Sequence, residues 1–165
     1  MPQRDYILGL IEQAGQFFRG IIALREAGHP DLAVQSVIAS MEKLFGLSVT
    51  DVATLDVESL FAQLTREENA ENARDKCLVF AALNNQAGLA FAEKELPALA
   101  QPAFHLALVF SLKALTAYPR ANLPSFTPDV AYLCHQLEGF ELPPSTLDLL
   151  AEYERTAPLA DLRRG

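Results

Sequence analysis

The side chains in this 165-residue sequence that could do chemistry are few and scattered. Glu67, Glu71 and Asp75 recur every four residues, so on a helix they share one face. Such a row can hold a divalent cation. Helical di-metal sites, however, also draw on Glu-x-x-His motifs from facing helices, and the chain has none. The row reads instead as a solvated acidic face near a helix N-terminus, where the dipole favours negative charge. His29, His105 and His135 form no His-x-x-x-His pair, and Cys134 and His135 are adjacent, so on a helix their side chains diverge. These histidines are expected at a turn, at the edge of a buried helix and on the surface, in that order. Cys77 and Cys134 make no spaced motif and read as small apolar residues of a reducing compartment. Ser36, Ser40 and Ser111 read as packing residues, and Gly9, Gly15 and Gly20 lack the strand context of a phosphate loop. No catalytic, cofactor-binding or metal-ligating residue is assigned, and no cofactor is expected.

One polar run stands out. Asn84-Asn85-Gln86 interrupts an apolar stretch in the middle of a helical pattern. It either lines a small-molecule pocket together with His105 or makes buried hydrogen bonds between helices.

The elements that position these residues are helical. Ile7, Leu10, Ile11, Ala14, Phe17, Phe18, Ile21, Ile22 and Leu24 step by three and four, giving a first helix over 3–27, roughly 37 Å long at 1.5 Å per residue. Gly9, Gly15 and Gly20 lie inside it at ~1 kcal/mol each, which predicts a closely passing backbone or a kink. Gly28 closes this helix and Pro30-Asp31 opens the next, which ends at Gly46. So short a connection predicts antiparallel neighbours. Ser48-Val49-Thr50-Asp51 has capping-box spacing, and Asp56 caps residues 57–64. Thr65-Arg66-Glu67-Glu68 predicts a long helix over 66–96 whose polar first turns project past the core. Pro97 to Pro102 is expected as a loop. The helix over 103–118 is apolar nearly all round and is expected at the centre. Shorter helices follow from Thr127-Pro128-Asp129 to about 138 and from Ser145 to Arg155. No segment alternates long enough to predict a strand. Residues 1–157 are expected as one helical domain and 158–165 as a frayed tail.

Small residues recur at helix-pair spacing. After Gly28, alanine follows at five residues, valine at nine and serine at twelve (Ala33, Val37, Ser40). A second set comprises Gly88, Phe91, Ala107, Ala114 and Pro119, with extra residues around Pro97 to Pro102 and Ser111 in place of an aromatic. Together these resemble tetratricopeptide repeats over about half the chain. The opening Gln3-Arg4-Asp5-Tyr6-Ile7-Leu8, continuing through Ile11-Glu12-Gln13, resembles the start of an uncharacterised family of small bacterial helical proteins. That resemblance implies tetratricopeptide-like helices and a bacterial source, and it transfers no catalytic residue. The expected fold is therefore an all-α, right-handed bundle of six to seven helices in antiparallel, tetratricopeptide-like pairs.

Composition bounds the partners. The net charge of −8 repels phosphate backbones, so nucleic acid is not an expected partner. The start, Met-Pro-Gln-Arg-Asp, lacks the basic region and apolar core of a secretion signal. Charges such as Glu12, Arg19, Arg25 and Glu26 interrupt the apolar runs, so no membrane span is expected and a cytoplasmic location is. The leading expectation is a non-enzymatic interaction module that forms a homodimer or binds a protein. Its surface comprises Arg4, Asp5, Tyr6, Leu10 and Phe17 on the first helix. The alternative is a small-molecule-binding or enzymatic bundle with its pocket at Asn84, Asn85, Gln86 and His105.

Overall fold

A computed structural model describes residues 2–156, with side chains from Tyr6 onward. The expected tail over 158–165 and the side chains of Arg4 and Asp5 lie outside the described residues. The described chain is all helical: α1 (Pro2–Glu26), α2 (Pro30–Phe45), α3 (Val49–Thr54), α4 (Val57–Thr65), α5 (Ala70–Glu93), α6 (Pro97–Ala117), α7 (Val130–Gln136) and α8 (Pro144–Thr156). That is eight helices rather than six or seven, because the capping box at Ser48 opens a separate short helix, α3, before α4.

Local chemistry sets most of the boundaries. Gly28 has φ +81°, and the N–H groups of Gly28 and His29 donate to the carbonyls of Arg25 and Leu24, which closes α1. Gly46 does the same for α2 at φ +67°, its N–H donating to Glu42 O. At α3 both capping-box bonds form: Asp51 N donates to Ser48 Oγ at 3.0 Å, and Ser48 N to Asp51 Oδ2 at 2.9 Å. The Thr65 box does not form. Thr65 Oγ1 donates to Phe61 O at 2.8 Å, so this threonine ends α4, and Glu67 turns the chain at φ 61°. Asn69 takes over as the cap of α5, accepting from Asn72 N at 2.9 Å. Pro97 to Pro102 is helical, not a loop. Pro97 occupies the first turn of α6, where its missing N–H has no intrahelical partner to lose, and Pro102 is carried inside the helix.

The long pair α5–α6 makes the most extensive contact in the molecule. Phe80 and Phe110 meet edge to face at 4.7 Å between them, and Gly88 lies under the ring of Phe104. A core of α1, α2, α4 and α5 residues packs on one side of α6, and a second of α7 and α8 residues on the other. The first turns of α5 do not project past the core. Asn72, Ala73, Arg74 and Asp75 are all buried, because the 118–129 segment folds back over them.

The stripe of α1 is covered by its own chain. Ile7, Leu10, Ala14, Phe18 and Ile21 are buried against α2 and α5, and Phe18 also meets Phe126 at 5.1 Å. The glycines of α1 serve no close backbone approach: nothing lies within 4 Å of a Cβ built at Gly9 or Gly20, and Gly15 would meet only the Arg19 side chain. By length and composition, the helical windows Tyr6–Glu26 and Pro97–Ala117 are apolar enough to cross a membrane; 28% of the first and 56% of the second are buried inside the protein.

Candidate functional site

The residues singled out in the sequence are separated by the fold into three places. Gln86 faces α1, where its Oε1 accepts from Arg25 Nη1 at 2.9 Å; Arg25 also pairs with Glu93 at 2.8 Å. Asn85 is half-buried, and its Oδ1 is buried with no partner among the described residues. Asn84 alone of the run turns toward a cavity, and His105 lines the same cavity. The three residues of the run are thus parted, one beside a cavity and one in a helix–helix contact, because consecutive helix positions differ by about 100° and cannot share a face.

The cavity has a volume of about 450 Å³ and is half open. Val34, Val37, Ile38 and Met41 of α2 form one wall, and Val49, Val52 and Ala53 of α3 a second. Asn84, Ala87 and Phe91 of α5 and Ala103, His105 and Leu106 of α6 close the rest. These residues line a common space because α2 and α5 pack together while the capping box at Ser48 starts α3 beside them. At the rim Val49 and Leu99 are 57% and 50% exposed, although both are large apolar side chains.

Asn84 is 3% exposed, and its Nδ2 donates to Phe80 O, one turn back, at 2.9 Å. His105 Nε2 is 2.8 Å from Thr146 Oγ1 of α8, and its ring lies against Phe140 with centroids 5.6 Å apart. Burial holds the His105 imidazole below the usual histidine range, which favours the neutral ring. On its other side His105 borders a second cleft, whose lining includes Asp56, Glu58, Lys113, Asp148 and Glu152 beside Val57, Val109 and Leu149. Lys113 there pairs with Glu58 at 2.9 Å and lies 4.8 Å from the Phe61 ring.

The remaining candidates have structural placements. Among the described residues no three His, Cys, Asp or Glu side chains gather as a metal site. Glu67, Glu71 and Asp75 do not form one solvated face: Glu67 is in the turn before the helix, Glu71 is half exposed, and Asp75 is 1% exposed beside Arg74. Sequence reasoning missed Arg74. Its guanidinium pairs with Asp75 at 2.9 Å and donates to the carbonyls of Pro119 at 2.8 Å and Ala121 at 2.7 Å, tying the 118–129 segment to α5. The signal for it is an Arg-Asp pair adjoining an apolar helix, which periodicity alone assigns to solvent. His29 is exposed at the α2 start, and His135 is exposed beside Glu138. Burial pushes the Cys77 thiol up to about 12 and raises that of the less buried Cys134. Of the α1 surface, Tyr6 is 55% exposed with Leu8 beside it at 50%; Leu10 is buried, and Phe17 is half-buried under Lys43. Comparison with known protein families, curated proteins and solved structures finds no match to this chain.

Proposed function

We propose that this protein binds a small, mainly apolar molecule in the cavity between α2, α3, α5 and α6. The observation that carries this is the convergence of Asn84, His105 and Ser48 on a mostly apolar space of about 450 Å³. That volume falls within the range of small-molecule sites, which are concave, mostly apolar and supplied with a few polar groups. The exposed rim residues Val49 and Leu99 extend the apolar surface a ligand would cover. The role is binding rather than catalysis. A fluorescence titration with the uncharged dye N-phenyl-1-naphthylamine tests it. One saturable site is expected, weakened about tenfold in Ala87→Leu, which fills the cavity from α5 while circular dichroism stays unchanged. Absence of saturable binding to the folded wild type overturns the proposal.

A second reading, a protein-binding or homodimerising module built from tetratricopeptide-like antiparallel helix pairs, has its own support. Short turns join α1 to α2 and α5 to α6, both pairs are in contact, and the small residues Ala33, Ser40, Ala107 and Ala114 are fully buried. Tyr6 and Leu8 supply an exposed apolar start to α1. Size-exclusion chromatography with light scattering tests it: a dimer that Tyr6→Ser/Leu8→Ser dissociates supports this reading, and a monomer at every concentration removes the self-association.

A further inference from the structure

We infer that the molecule held in this cavity is an uncharged amphiphile, an apolar body bearing a hydroxyl or amide group whose hydrogen is donated to Asn84. This rests on the cavity being a ligand site and narrows that site to a chemical class.

The first argument is charge. No Asp, Glu, Lys or Arg side chain lines the space. An ionised group carried to the inner end beside Asn84 would lose its water with no Asp, Glu, Lys or Arg on the lining to pair with it, a cost that normally neutralises or excludes the group. The charged side chains of this region, Asp56, Glu58, Lys113, Asp148 and Glu152, border the neighbouring cleft beyond His105. His105 is the residue common to both linings, and the charged side chains stand on the far side of it. Its Nε2 is engaged by Thr146 Oγ1 at 2.8 Å, and burial favours the uncharged ring.

The second argument is the orientation of one amide. An Asn amide is ordinarily open to interchange of its nitrogen and oxygen. Here the contact with Phe80 O at 2.9 Å settles it, because a carbonyl oxygen only accepts, so the atom facing it must be the nitrogen. The Asn84 Oδ1 is thereby fixed as an acceptor on the cavity side chain, and it receives no hydrogen bond from any described residue. Asn84 is 3% exposed in the middle of α5, where an apolar residue would have packed. A ligand seated over that oxygen displaces the water that reaches it from the cavity, and a ligand O–H or N–H restores the hydrogen bond. Specificity follows from the same asymmetry: an analogue of the same shape that cannot donate leaves the oxygen unpaired.

The experiment is competition against N-phenyl-1-naphthylamine on the full-length protein. The competitors are 1-decanol, its methyl ether and, at about pH 8, decanoate. The alcohol is expected to displace the dye at about tenfold lower concentration than either of the others. In Asn84→Leu the dye still binds and the advantage of alcohol over ether disappears. Equal competition by decanoate, equal competition by the ether, or an alcohol advantage that survives in Asn84→Leu overturns the inference while leaving the cavity reading standing. Failure of the dye and all three competitors to bind overturns both. Should Asn84→Leu fail to fold, the ranking of the three competitors on the wild type still decides the inference.

Discussion

Replacing Arg74 by methionine should destabilise the fold more than any other single change at a charged position. The side chain is 1% exposed, so its charge is held entirely by protein groups. Nε and Nη2 sit 3.0 and 2.9 Å from Asp75 Oδ1, and Nη1 donates to Pro119 O and Ala121 O at 2.8 and 2.7 Å. Methionine fills a similar volume but withdraws the cation from beside Asp75, itself 1% exposed, and removes the donors that anchor the 118–129 segment. Breaking a buried ion pair by deleting one partner typically costs about 3–5 kcal/mol. Against a total stability of about 5–15 kcal/mol, that is about a fifth or more of what holds a domain of this size together. At about 2–4 °C per kcal/mol, the melting temperature should fall by about 6–20 °C. Urea unfolding followed by circular dichroism measures the loss. The double variant Arg74→Met/Asp75→Leu should recover at least about 1 kcal/mol of it, because no buried charge is then left beside the methionine. A single-variant loss under about 1 kcal/mol, or a double variant no better than the single, would refute the view that this pair holds the segment as a buried charge unit.

Other outcomes follow from the same geometry. Gly88→Ala places a Cβ 2.7 Å from the Phe104 ring and should cost about 1–3 kcal/mol by overpacking. Gly20→Ala, with nothing within 4 Å, should instead gain ~1 kcal/mol in the same urea assay. At about pH 8, Ellman's reagent should titrate Cys134 in the native protein and reach Cys77 only on unfolding, since burial holds the Cys77 thiol protonated. His105 titrates below its ordinary 6.5 in the folded state, so between its folded pKa and 6.5 the unfolded chain binds the extra proton. Its contribution is therefore present above 6.5 and is lost as pH falls through 6.5 toward the folded value; the drop in urea midpoint from about pH 7.5 to about pH 5.5 should be smaller in His105→Gln.

The helical class, the glycine stops at Gly28 and Gly46 and the caps at Ser48 and Asp56 are legible in the sequence because each is settled by neighbours within four residues. The start of α5 is not. Thr65 and Asn69 both offer a capping oxygen, and the choice falls to Asn69 once the Thr65 hydroxyl bonds back to Phe61. The acidic row failed for a longer-range reason. Whether Asp75 faces water depends on Arg74 and on carbonyls more than 40 residues later, which no helical periodicity encodes. For the candidate site, Asn84 and His105 were readable as a polar interruption and a histidine at a buried edge. The α2 and α3 walls that make a cavity of them come from residues 34–53, brought in by tertiary packing. The α1 stripe likewise signalled a surface needing cover, but α2, α5 and Phe126 supply that cover from the same chain.

The most direct test of the central claim is an amide NMR titration of the folded protein with 1-decanol, including the side-chain NH₂ of Asn84. Binding in the cavity predicts saturable shifts at the Asn84 side chain and at Val37, Ala87, Leu106 and Val52, which line it from four helices. Saturable shifts confined to Tyr6 and Leu8 on α1, or no saturable shift anywhere, would contradict it.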